Sequence, residues 1–150
     1  MCNNLIFIAK KLKMLSSNEN KSSDPFSSIE KPSIDIEDYI YKLHSCLGAE
    51  DSTYIIAGIY IDRFLLKSNY YLNPLNVHRI ALLSIFFAMK YNEDYYPRQK
   101  IFAMCAGIHC RELLLLEHIY AIIIEHDFFV KKELYDKNVI VVQNDIKKLN

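Results

Sequence analysis

Cys105, His109, Cys110 and Glu112 bring two thiols, an imidazole and a carboxylate into one short stretch, a donor set that zinc accepts. Helical spacing would put His109 and Glu112 on one face and Cys110 off it. No second pair has matching spacing, so the stretch is read as structural. Glu125-His126-Asp127 could also bind a cation, but it is read as the end of a helix. No serine, cysteine or histidine sits in a nucleophile setting such as GxSxG. The glycines, Gly48, Gly58 and Gly107, are scattered, whereas a P-loop or a dinucleotide fingerprint needs them clustered. No catalytic residue is assigned, and neither a metal nor a cofactor is expected.

The informative polar groups stand inside apolar helices. Glu117 lies in the middle of LLLLEHIYAIII, where a lone buried carboxylate would be costly. Lys90 ends the run IALLSIFFAMK, and a Lys90–Glu117 pair would satisfy both charges. Taken by itself, such a pair reads as an internal salt bridge serving the fold. Asp62 and Arg63 pose the same question, and they are read as a structural ion pair tying their helix to the first.

The elements that must position these groups are helical. Apolar residues make up 51% of 150, enough for the core of one domain. Residues 1–15 form a short helix with Leu5, Ile8, Leu12 and Leu15 on one side; it could dock on its own domain or touch a membrane or partner. Seven serines and two prolines make residues 16–33 a linker or loosely held arm. From Pro32 onward helical periodicity dominates. Ile36, Tyr39, Ile40 and Leu43 recur at helical spacing, with Asp35 as cap. A second helix runs from about Asp51 to Lys67. Asn73-Pro74 then reads as a cap followed by proline at the first helical position. The third helix holds residues 80–89, where Ser84 is the one residue that is not apolar, so other helices must surround it. A short fourth helix from Arg98 ends near Gly107, and the fifth contains residues 113–124. VIVV (139–142) could be a strand, though it lacks a partner.

Charge and cysteine content set the context. Eighteen Lys+Arg balance eighteen Asp+Glu, which disfavours a nucleic-acid partner. No run reaches the ~20 apolar residues that span a bilayer. The short apolar run Leu5–Ala9 has its lysines after it, the reverse of a secretory signal. No pair of the cysteines at 2, 46, 105 and 110 has CxxC spacing, so all four are expected as reduced thiols in a soluble, intracellular protein.

The ordered segments PSIDIEDYI, AGIYIDRFL, LNPLNVHRIAL, FFAMKYNEDYY, IFAMCAGI, ELLLLE and DFFV span Pro32 to Val130. This stretch of about one hundred residues resembles the single-box P/U-type cyclins, the group similar to the yeast phosphate-pathway cyclin. LNVHR together with YIDR is fairly specific to that subgroup, whereas AMKY and LLE are shared by cyclins broadly. The resemblance implies an all-α fold, with a five-helix cyclin box over residues 34–130, an extension over 1–33 and a tail over 131–150. It also implies a regulatory subunit that binds and activates a cyclin-dependent protein kinase, acting in the cytoplasm, the nucleus or both. In cyclins the lysine matching Lys90 and the glutamate matching Glu117 pair and meet backbone at the base of the kinase αC helix. Apolar side chains at Phe87, Tyr91, Ala121 and Phe128 then receive that helix.

Some positions depart from the family. His109 stands where a serine usually starts the fifth helix, so the capping box with Glu112 is expected to be weakened rather than absent. His126 replaces the usual aromatic before DFFV, and could make kinase binding sensitive to pH. The first helix of the box lacks the substrate-docking motif of two-box cyclins. Only twenty residues follow Val130, too few for a second box and unlike a DNA-binding two-repeat relative. Two other readings remain: a cyclin-shaped adaptor for a non-kinase partner and, more distantly, a metal-dependent enzyme built on Cys105, His109 and Cys110.

Overall fold

A computed structural model of the chain describes residues 3–17 and 24–149. The described residues form seven helices: α1 (Asn3–Leu15), α2 (Ile36–Leu47), α3 (Asp51–Ser68), α4 (Val77–Asn92), α5 (Gln99–Ala106), α6 (Cys110–Ile123) and α7 (Lys132–Leu149). The protein is all-α, and α4 is its centre. Every residue from Ile80 to Met89 is buried, and the helix packs against α2, α3 and α6. Ser84 is accommodated there because its hydroxyl donates to Ile80 O at 2.8 Å and accepts from Tyr120 at 2.6 Å. A fully buried hydroxyl without such partners would cost roughly 1–3 kcal/mol.

Local signals end these helices. Gly48 and Gly107 take the left-handed conformation, φ 65° and 74°, that closes α2 and α5. Asn69, at φ 60°, does the same for α3. The starts differ from expectation. Asp35 makes no capping bond, because its carboxylate is drawn 3.0 Å from Lys13 of α1. Asn73 does not cap α4 directly. Its side-chain oxygen accepts from the amides of Leu75 and Asn76, while Asn76 returns a bond to the amide of Asn73. That closed turn contains Pro74, and α4 begins one turn later, at Val77.

α1 and Phe26 belong to the same core. α1 buries Leu5, Ile8, Ala9 and Leu12 against α2 and α3, while Leu15 lies on the exposed side. Part of the serine-rich arm, residues 18–23, lies outside the described residues. Beyond it, Phe26 is fully buried edge-on against Phe64 and Tyr120, with centroids 5.1 and 6.3 Å away. VIVV is helical, not a strand. Tyr135, Val139, Val142 and Ile146 of α7 recur at helical spacing and face Ile55, Ile59 and Phe7.

The expectation of reduced thiols is overturned at Cys46 and Cys105, while Cys2 lies outside the described residues. Cys46 and Cys105 are joined by a disulfide, with Cα atoms 5.9 Å apart. Fifty-nine residues separate them in sequence, so short-range spacing could not reveal the pair. Packing of α2 beside α5 brings their last turns together. Cys110 is free and half-buried.

Candidate functional site

Lys90 sits in the last turn of α4, and Glu117 lies in the middle of α6. Their nearest side-chain atoms are 3.5 Å apart, and both side chains are only partly covered (35% and 19% exposed). Gln99, in the first turn of α5, donates to the other carboxylate oxygen of Glu117 at 2.8 Å. The Lys90 ammonium also lies 5.9 Å from the centre of the Phe86 ring. Glu117 is thus pinned from two helices. Lys90 gives one of its three N–H donors to it, which leaves donors for a further partner.

Beside the pair stands an aromatic stack. Phe87 lies 4.5 Å from Phe128 and 6.2 Å from Tyr91, and Tyr91 lies 4.6 Å from Phe128 at 13°. Tyr120 continues the stack inward, 5.3 Å from Phe87. Its full burial pushes the phenol pKa far above the ordinary range, outweighing the opposing bond to Ser84, so it stays protonated. Phe87, Ala121 and Phe128 are 3–8% exposed, whereas Tyr91 is 53% exposed. Phe87, Tyr91 and Phe128 stack on one another and Ala121 is buried in the same core, but Tyr91 is the one that faces outward. Ile122 and Phe129, next to Ala121 and Phe128, add exposed apolar surface.

The segment after α6 carries Phe128 into place. Glu125 and His126 both adopt left-handed conformations, φ 59° and 55°, which costs non-glycine residues roughly 1–2 kcal/mol each. Three side chains of α3 hold that turn. Tyr60 donates to Phe128 O at 2.6 Å, Arg63 to Asp127 O at 2.9 Å, and Lys67 to Ile124 O at 3.1 Å. Arg63 also faces the Asp127 carboxylate at 3.7 Å. Asp62 points the other way, 3.7 Å from Lys11 of α1. The adjacent acid and base of α3 do not pair with each other; each ties that helix to a different neighbour. Glu125-His126-Asp127 forms this turn, with its two carboxylates beside Lys67.

The zinc geometry does not assemble. The sulfur of Cys105 is bonded to Cys46, and Glu112 is held by Arg79 of α4. Among the described residues, no three His, Cys, Asp or Glu side chains gather closely enough to hold a metal. That Arg79 contact also removes the capping box: His109 occupies the N-cap of α6 without a side-chain bond, and Glu112 does not reach back. No described helix is long and apolar enough to cross a membrane.

Sequence reasoning missed Gln99 and the Tyr60–Phe128 bond. A buried tyrosine must place its hydroxyl somewhere, and that signal was present at Tyr60. Its acceptor lies 68 residues away and could not be read. Nothing around Gln99 marked it.

Comparison with known proteins gives this surface a family. The family model described as Cyclin matches residues 1–128. Cyclin-U4-2 of Arabidopsis thaliana is 34% identical over 100 residues, 66% of this chain and 46% of its own length. Cyclin-U3-1 of the same plant is 36% identical over 92 residues, 61% of this chain and 42% of its own. Cyclin-P4-1 of Oryza sativa subsp. japonica is 29% identical over 122 residues, 81% of this chain and 58% of its own. The chain therefore spans about half the length of the curated relatives it matches. With an all-α core around α4 and a match over most of its length, the chain belongs to the cyclin family and is similar to its U- and P-type members.

Proposed function

We propose that this chain is a non-catalytic regulatory subunit that binds and activates a cyclin-dependent protein kinase inside the cell. The observation that carries the reading is the Lys90–Glu117–Gln99 cluster beside Tyr91. It is a fixed polar group with unused ammonium donors at the edge of an aromatic surface. A helix end leaves several backbone groups unpaired, and such a cluster can meet them while apolar contacts supply affinity. Tyr91 and Ile122 offer the exposed contacts, backed by Phe87, Ala121 and Phe128. Docking there would favour the inward position of the kinase αC helix, in which its glutamate meets the lysine that holds the ATP phosphates. The chemistry stays with the kinase; this chain shifts the population of its active conformation.

The test is binding of the folded chain to cyclin-dependent kinases from its own source, alongside Lys90→Ala/Glu117→Ala with helicity checked by circular dichroism. Tight binding by the wild type, lost in the folded double variant, supports the reading. A well-folded wild type that binds no kinase overturns it and leaves the adaptor reading.

A further inference from the structure

We propose that Cys46 and Cys105 form a reversible thiol–disulfide couple that locks α5 onto α2 and so governs how firmly Gln99 holds Glu117. The consequence for the docking surface rests on the kinase reading above; the couple itself does not. The two cysteines lie in the last turns of α2 and α5, with Cα atoms 5.9 Å apart, inside the span that a disulfide bridges. Cys46 is exposed and Cys105 is buried at 5%, so a dissolved disulfide reaches Cys46 first.

α5 is the element to which such a bond matters most. Its eight residues fall short of the ~12–15 at which a helix begins to hold itself in water, so its placement depends on anchors. One anchor is the Tyr39 hydroxyl of α2, which donates to Ala106 O at 3.1 Å. The disulfide sits one residue earlier, at Cys105. At the opposite end Gln99 bonds Glu117. A restraint at the C-terminal turn of α5 therefore limits the motion available to the side chain that orients the Glu117 carboxylate. Inside cells lasting disulfides are rare, and those that form are mostly transient and redox-sensing.

The chemistry balances by thiol exchange. The Cys46 thiolate attacks one sulfur of a small-molecule disulfide such as glutathione disulfide, releasing one thiolate. The Cys105 thiolate then attacks the Cys46 sulfur of the mixed disulfide and releases the second. Two electrons pass from the protein thiols to the small disulfide, and the two protons end on the departing thiols. Excess glutathione drives the reverse.

The full chain would be equilibrated in glutathione mixtures from thiol-rich to disulfide-rich, then alkylated and weighed by mass spectrometry. Its melting temperature would be followed in parallel. Cys46 and Cys105 should become protected together within that range, and reduction should lower Tm by about 5–15 °C. Cys46→Ser and Cys105→Ser should match the reduced protein and ignore the mixture, while Cys110→Ser should still respond. Alkylation of both cysteines in the folded wild type throughout the range overturns the couple. Protection that persists in excess glutathione also overturns it, since the bond is then permanent. An unmoved Tm removes the lock. With a bound kinase, the oxidised and reduced chains should differ several-fold in affinity, and equal affinities overturn the link to Glu117. If no kinase binds, the titration and the melting curves still decide the couple.

Discussion

The Tyr60 hydroxyl of α3 donates to the backbone carbonyl of Phe128 at 2.6 Å, so the helix beside the core fixes the last aromatic ring of the stack. Burial pushes the Tyr60 pKa upward, which keeps the donor proton in place at ordinary pH. Tyr60→Phe leaves that carbonyl without its partner. The expected cost is about 1–3 kcal/mol, read from urea unfolding. Kinase affinity should fall as well, because Phe128 backs Tyr91 at 4.6 Å.

Stability and binding should separate at the polar cluster. Lys90 and Glu117 are both partly exposed to solvent, so their coupling in the free chain is expected below about 1 kcal/mol. A double-mutant cycle on unfolding measures that term. The same variants should weaken kinase binding by tenfold or more, because a complex would enclose both charges away from water. Equal small effects in both assays would count against the docking role.

His78 gives the fold a pH dependence of definite sign. Its Nε2 lies 2.8 Å from Ile34 O, an acceptor, so Nε2 carries the proton and Nδ1 is bare. Nδ1 is buried without a partner, and Arg79 stands beside it in sequence. Burial, ahead of the opposing bond to Ile34, holds the ring pKa below its usual value of 6.5. Above that value the ring is neutral in both states and its contribution is intact. As pH falls from about 6.5 through the depressed folded value, the unfolded chain gains a proton that the folded chain resists. Stability should therefore drop on acidification, by at most about 1.4 kcal/mol per pH unit from this group. Unfolding midpoints between pH 8 and 5 should show the slope in the wild type and a shallower one in His78→Gln.

Gly58 permits the approach of α1 to α3. A Cβ at that position would meet Ile8 Cδ1 at 3.1 Å, a contact that a small side chain makes only if Ile8 gives way. Gly58→Val should destabilise the protein by about 1–3 kcal/mol. Combining it with Ile8→Ala should cost less than the sum of the two single changes, since both act on one contact. Chemical unfolding of the three variants provides the comparison.

What could be read from the sequence followed from how local its cause was. An apolar run relieved only by Ser84 left residues 80–89 no place but the centre. The expected helix from Asp51 to Lys67 differs from α3 by one residue. Lys90 and Glu117 were matched because one charge ended an apolar helix and the other stood inside one, and pairing would satisfy both. The misses share non-local causes. Glu112 is diverted from its own helix by Arg79, Asp35 by Lys13, and Cys46 by Cys105. The β-branched run VIVV suggested a strand, although Tyr135, Val139, Val142 and Ile146 carried the helical period that prevailed. Phe26 offered no period at all, being a single aromatic among serines.

Phe26 acts as a plug in the box. Its ring closes the space beside Phe64 and Tyr120 from outside, delivered by residues 24–35, which form no helix. Removing that ring while leaving the helices intact would open a void on the order of 100–150 Å³ beside the Phe64 and Tyr120 rings, large enough to hold benzene or xenon. Phe26→Ala should therefore lose about 3–5 kcal/mol and recover part of it when benzene is added, visible as a rise in Tm. A chain shortened to begin at residue 33 would carry the same hole and would also lose the buried face of α1, so the self-sufficient unit extends upstream of the box helices.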